Sequence, residues 1–166
     1  MTALSILTYK IMSVYSLGDR TPVFKSTNWF VAPNASVIGS VTITDRHLSI
    51  GAELTGDFNP LHVDEAFARA SRHGSRILHG VITSAIIGAP AGMIFSGTAI
   101  GYLEHNCKFL APVRAGDVLT TTWKVVGCDA KPKHGGGVVR LEADCVNQNG
   151  VKVATANGAM LVGEGV

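Results

Sequence analysis

Val81 to Phe95 is a run of one helix length that is apolar on nearly every side. A helix with no polar face has nothing to give to water and must be enclosed. The run is short and holds Gly88, Pro90 and Gly92, so it does not fit a membrane span; protein has to enclose it. Ala85, Gly88, Ala89, Ala91 and Gly92 would let neighbouring backbone, or a ligand chain, come close, and Pro90 is expected to end or kink the helix. After Gly97 the texture turns to strands: Thr98–Leu110, Asp117–Val126, Val138–Asn147 and Val151–Val162. Pro112 to Asp117 reads as a turn, Pro132 to Gly137 as a longer loop, and Asn149-Gly150 as a two-residue hairpin connection. Helices followed by a run of antiparallel strands give an α+β class, with a curved antiparallel sheet wrapped around one long buried helix.

The elements before that helix are shorter. Val37, Val41 and Ile43 keep strand spacing, and Thr44 or Asp45 caps a helix through Leu48, Ile50 and Leu54 that stops at Gly56. Asp64 caps another, with Ala66, Phe67 and Ala70 on its apolar side, and residues 71–75 read as a loop. Near the start, Tyr9 to Val14 is a strand candidate and Leu17-Gly18-Asp19 a turn, while the segment around Trp29 and Phe30 shows no period. With no repeat or linker, residues 1–166 are expected to form a single domain.

Composition narrows the function classes. Hydrophobic residues are 46% and charged residues 16%, so an ordered core and a partly covered surface are expected. A net charge of +2 is too small to argue for nucleic acid or an anionic membrane as partner. The first residues lack the basic start of a secretory signal. Cys107, Cys128 and Cys145 are odd in number and widely spaced, which suits thiols in a reducing compartment and a cytoplasmic location. No cysteine–histidine cluster has metal-ligand spacing, and neither a phosphate loop nor a dinucleotide fingerprint is present, so no metal or cofactor is expected.

The chemistry concentrates in Thr55-Gly56-Asp57-Phe58-Asn59-Pro60-Leu61-His62-Val63-Asp64. Gly56 can take backbone angles closed to other residues, and Pro60 fixes its own φ and holds Asn59 out of the helical region. Such a turn can aim Asp57 and His62 at one point, as acid/base work on a water requires. An Asp capping a turn beside a satisfied structural His is the plain alternative. Gly80 supplies a second element: at the start of the buried helix its N–H has no intrahelical partner, and it can receive an oxygen gaining negative charge. Gly80 as a tight turn, with His79 as a packed or capping side chain, is the alternative there. Together the two elements suit delivery of water to a carbon conjugated with a carbonyl.

Residues 52–64, with Leu78-His79-Gly80 and the segment Phe109 to Asp117, resemble the MaoC-like, (R)-specific enoyl-CoA hydratase family over roughly residues 37–163. The resemblance implies a hot-dog fold and syn addition of water to a trans-2-enoyl-CoA, or the reverse dehydration of an (R)-3-hydroxyacyl-CoA. It implies Asp57 and His62 as the catalytic pair and the Gly80 N–H as oxyanion donor, with Gly56, Asn59 and Pro60 shaping the motif. It further implies a homodimer acting on a thioester of CoA or acyl-carrier protein, without a resident cofactor. Some members carry a serine in the central helix where this chain reads Ile86-Ile87-Gly88-Ala89, and residues 1–35 match poorly. Arg72, Arg76, Lys108 and Arg114 are candidates for the CoA phosphates, as are Arg69 and His73; a solvated helix end and loop is the alternative for each. Trp123 and Tyr102 are read as sheet packing. A hot-dog thioesterase and a non-catalytic acyl-CoA-binding subunit are the competing functions.

Overall fold

The computed structural model describes residues 14–16 and 36–163. The elements are β1 (Val14–Ser16), β2 (Ser36–Thr42), α1 (Asp45–Thr55), α2 (Pro60–Val63), α3 (Glu65–Ala70), α4 (Gly80–Ile94), β3 (Ala99–Phe109), β4 (Val118–Lys131), β5 (Gly136–Val146) and β6 (Lys152–Gly163). They form a single sheet in the order β1-β2-β4-β5-β6-β3, antiparallel throughout except that β1 runs parallel to β2. The expected turn at Leu17 and the segment around Trp29 lie outside the described residues, as does the expected first strand apart from Val14.

Alternation places the core. Leu119, Thr121, Trp123 and Val125 of β4 turn inward, and so do Val139, Leu141, Ala143 and Cys145 of β5. They pack with Ile87, Ala91 and Ile94 of α4 and with Phe95 beyond it. The Trp123 indole donates to the Ile87 carbonyl at 2.8 Å, so a buried polar group is satisfied where sheet and helix meet. Gly39 of β2 lets the helix come close: a Cβ there would overlap the Pro90 ring.

Three expectations need correction. Of the two outcomes expected of Pro90, ending the helix does not occur: α4 runs on to Ile94, with the proline ring filling the space Gly39 leaves open. Nor is the helix enclosed on every side, since Val81 is 61% exposed. Finally, Asn149-Gly150 is not a bare two-residue turn. The Asn147 side chain accepts from the N–H groups of Asn149 and Val151, Gly150 takes φ 74°, and the register slips between Cys145 and Val146. An extra residue is absorbed as a bulge at the hairpin end.

Candidate active site

Three short elements carry the motif. Thr44 caps α1 reciprocally with His47, and Gly56 ends that helix in the left-handed region at φ 73°, which reverses the chain. Asp57 follows directly. Its Oδ1 accepts from the Asn59 N–H at 3.1 Å, and the Asn59 side chain accepts from the Leu61 N–H at 3.0 Å. These two side-chain turns, with Pro60 opening α2, place His62 across from Asp57. His62 Nε2 lies 3.7 Å from Asp57 Oδ2, with the His62 side chain 13% exposed and the Asp57 side chain 52% exposed.

Segment 77–80 closes the site from the other side. The Ile77 N–H donates to the Leu61 carbonyl, and His62 Nδ1 donates to the Ile77 carbonyl at 2.8 Å. A carbonyl can only accept, so Nδ1 carries the hydrogen and neutral His62 keeps its Nε2 lone pair facing Asp57. Gly80 begins α4, where the helical ladder supplies no acceptor for its N–H and the helix dipole is positive. A Cβ on Gly80 would meet the Phe109 ring at 3.0 Å, so the bare glycine leaves room between helix and strand. The arrangement offers a base, a carboxylate beside it and an anion-receiving N–H at a helix start.

His79, expected as a packed or capping side chain, adds a feature of its own. The ring is buried and makes no side-chain cap bond to its own helix. Nε2 instead donates to the Asp57 carbonyl at 2.9 Å, and the ring stacks on His62 with centroids 3.8 Å apart. The ligand atoms of Asp57, His62 and His79 lie within 4.8 Å of one another, a spacing that would also suit a metal. The hydrogen bonds argue otherwise. They commit His62 Nδ1 and His79 Nε2 as N–H donors, and the remaining His79 ring nitrogen, Nδ1, lies against Gly51 with no hydrogen-bond partner.

The candidate cations are held in several ways. Arg76 bridges Asp45 at 2.6 Å and Glu65 at 3.1 Å, and it is the largest cause holding the Glu65 carboxyl below its usual range, with Arg69 next. Arg114 donates to Ser75 Oγ and the His73 carbonyl, bracing the loop after α3. Arg72 is exposed. Lys108 lines a broad groove with Lys124, Glu142 and Asp144, and none of Asp57, His62 or Gly80 lies in its walls. Tyr102 is more than packing: its hydroxyl meets His105 Nδ1 at 2.8 Å, and His105 Nε2 meets Ser84 Oγ at 2.8 Å. This chain of polar groups borders Gly88, whose Cβ position is 3.5 Å from the His105 ring.

A family model described as MaoC like domain matches residues 33–147. This chain belongs to that family. The MaoC-like chain is 43% identical over 68 residues to the 3-hydroxybutyryl-CoA dehydratase of Methylorubrum extorquens, covering 41% of this chain and 43% of that protein. It is 37% identical over 86 residues to the (R)-specific enoyl-CoA hydratase of Rhodospirillum rubrum, covering 52% of this chain and 60% of that one. The chain thus spans about half the length of these curated relatives. The unliganded R-hydratase PhaJ1 of Pseudomonas aeruginosa superposes with a TM-score of 0.71 at 29% identity, over 81% of this chain and 83% of that one. The sheet around α4 is the hot-dog fold of such MaoC-like neighbours.

Proposed function

We propose that this MaoC-like chain is an (R)-specific enoyl-CoA hydratase, or 3-hydroxyacyl-CoA dehydratase in the reverse direction. The observation that carries the reading is His62 Nε2 held 3.7 Å from the Asp57 carboxylate, with the other ring nitrogen committed to a carbonyl. A water between them gives one hydrogen bond to each. His62 takes a proton as the water oxygen bonds to C3 of the enoyl thioester. The C2–C3 π electrons move toward the thioester oxygen, which the Gly80 N–H receives. The resulting enolate takes its proton at C2 from the same pair, so both additions occur on one face and the outcome is syn. General acid/base help is worth about 10²–10⁴-fold and one oxyanion donor about 3 kcal/mol. Water, a base and an oxyanion donor suffice, without a resident cofactor.

We infer further that the whole chain acts as one domain and as a homodimer. In support, β3 is a sheet edge paired to β6 alone among the described residues. It exposes Ile100, Leu103 and Phe109, and an open eleven-residue edge bearing these apolar side chains invites a second copy. A cytoplasmic site of action is the reading supported by Cys107 and Cys145, which are thiols outside any disulfide. No helix among the described residues is long and apolar enough to cross a membrane. Arg72 is an exposed candidate for CoA phosphates, whereas Arg76 and Arg114 already serve local partners.

The test follows the conjugated enoyl-thioester absorbance over a panel of trans-2-enoyl-CoAs. Wild type should bleach it and form the (R)-3-hydroxyacyl product, and Asp57→Asn should lose nearly all turnover. Release of free thiol in place of that product would instead establish a thioesterase. Unchanged turnover in Asp57→Asn would refute the mechanism.

A further inference from the structure

The Asp57/His62 pair and Gly80 come from different parts of the chain, and one side chain touches or adjoins all three. We propose that His79 is the positioning residue of the site, a neutral Nε2–H imidazole that fixes the pair without meeting substrate. His79 precedes Gly80 and is fully buried, with 1% exposure. Its Nε2–H donates to the Asp57 carbonyl at 2.9 Å, which pins the backbone of the carboxylate at the point where the left-handed Gly56 releases the chain. Its face stacks on His62 at 3.8 Å with the planes only 27° apart, which limits the tilt of the base.

The surroundings select this tautomer. A hydrogen on Nδ1 would leave Nε2 as a lone pair against the lone pairs of the Asp57 carbonyl. Nδ1 has no hydrogen-bond partner, and it lies against Gly51 of α1. A Cβ at Gly51 would lie 2.9 Å from Nδ1, so the glycine in α1 is the space that the ring occupies. A buried nitrogen left without a partner has a cost, and here the same ring orders the pair. The Thr55 hydroxyl completes the support by accepting from the Asp57 N–H at 3.2 Å, so both backbone polar groups of Asp57 are held.

The kinetic arm of the test rests on the hydratase reading, and a spectroscopic arm stands apart from it. His79→Gln keeps an N–H donor near the Nε2 position, whereas His79→Phe keeps a stacking ring and removes the donor. The Phe variant should lose about 10–100-fold in kcat with KM nearly unchanged, because a misplacement of about 1 Å is worth that much. The Gln variant should stay within about fivefold of wild type. Equal losses in both, or none in the Phe variant, would overturn the role. If the Phe variant does not fold, His79→Asn replaces it, since its amide reaches only the Nδ1 position. Long-range proton–nitrogen spectra of the wild-type protein should show His79 as the Nε2–H tautomer and His62 as the Nδ1–H tautomer. A His79 hydrogen on Nδ1 would sink the proposal whether or not the protein hydrates enoyl-CoA; loss of turnover in wild type with the expected tautomers would fault the reaction alone.

Discussion

The base proposed at His62 can be removed in two ways that the structure separates. Its Nδ1–H serves the Ile77 carbonyl at 2.8 Å, and its Nε2 faces Asp57. An asparagine amide nitrogen falls near the Nδ1 position, and a glutamine amide nitrogen falls near Nε2. Both His62→Asn and His62→Gln lose the base, so both should fall by about 10²–10⁴-fold in kcat/KM, roughly 3–5 kcal/mol of barrier. Their stabilities should differ. His62→Asn can still donate to Ile77, whereas His62→Gln leaves that carbonyl without its donor at a cost of about 1–3 kcal/mol. The lost stack on His79 is common to both and cancels in the comparison. For a chain of this length each kcal/mol moves the melting midpoint by roughly 2–4 °C. The assay pairs loss of enoyl-thioester absorbance with thermal melting of each variant. Substantial activity in either variant would remove His62 as base. Equal melting midpoints would show that Nδ1 is not the nitrogen serving Ile77.

Gly136→Ala should destabilise the protein by about 1–3 kcal/mol, because a Cβ would overlap the Val162 backbone carbonyl and backbone cannot rotate aside; urea melts read this directly. His105 is held below its ordinary value of 6.5, first by burial, with the Ser84 hydrogen bond opposing. The folded state therefore binds this proton less readily than the unfolded one. The stability from neutral His105 is present above pH 6.5 and is lost as pH falls toward the depressed folded value. Between about pH 8 and about pH 5, wild type should lose more of its urea midpoint than His105→Gln does. Burial pushes the Tyr102 hydroxyl up to about 12, so the wild-type minus Tyr102→Phe absorbance difference should show no phenolate at the ordinary value of 10.

The local chemistry of the motif was legible in the chain. Gly56 in the left-handed region, Asn59 holding its own turn and Asp64 capping α3 each follow from residue type within a few positions. The bounds of α1 and the start of α4 follow for the same reason. What failed was whatever depended on a distant neighbour. Proline removes a helical N–H, and sequence gives no sign that Gly39, far upstream, leaves space for the Pro90 ring. Tyr102 reads as packing because its polar role runs through His105, whose second partner, Ser84, arrives only when β3 lies along α4.

The site divides along the same line. The sequence by itself determined that a carboxylate and an imidazole sit in one glycine- and proline-shaped turn, since those constraints act through a few bonds. It also determined that a glycine opens the apolar helix. Only the tertiary structure decided which His62 nitrogen is left facing Asp57, because the carbonyl that claims the other one belongs to Ile77. It likewise decided that His79 turns away from capping its own helix and joins the pair, because stacking and a hydrogen bond to Asp57 exist only when segment 77–80 packs against the motif. Tautomer and orientation depend on partners brought together through space, and those partners are fixed by packing, not by neighbours along the chain.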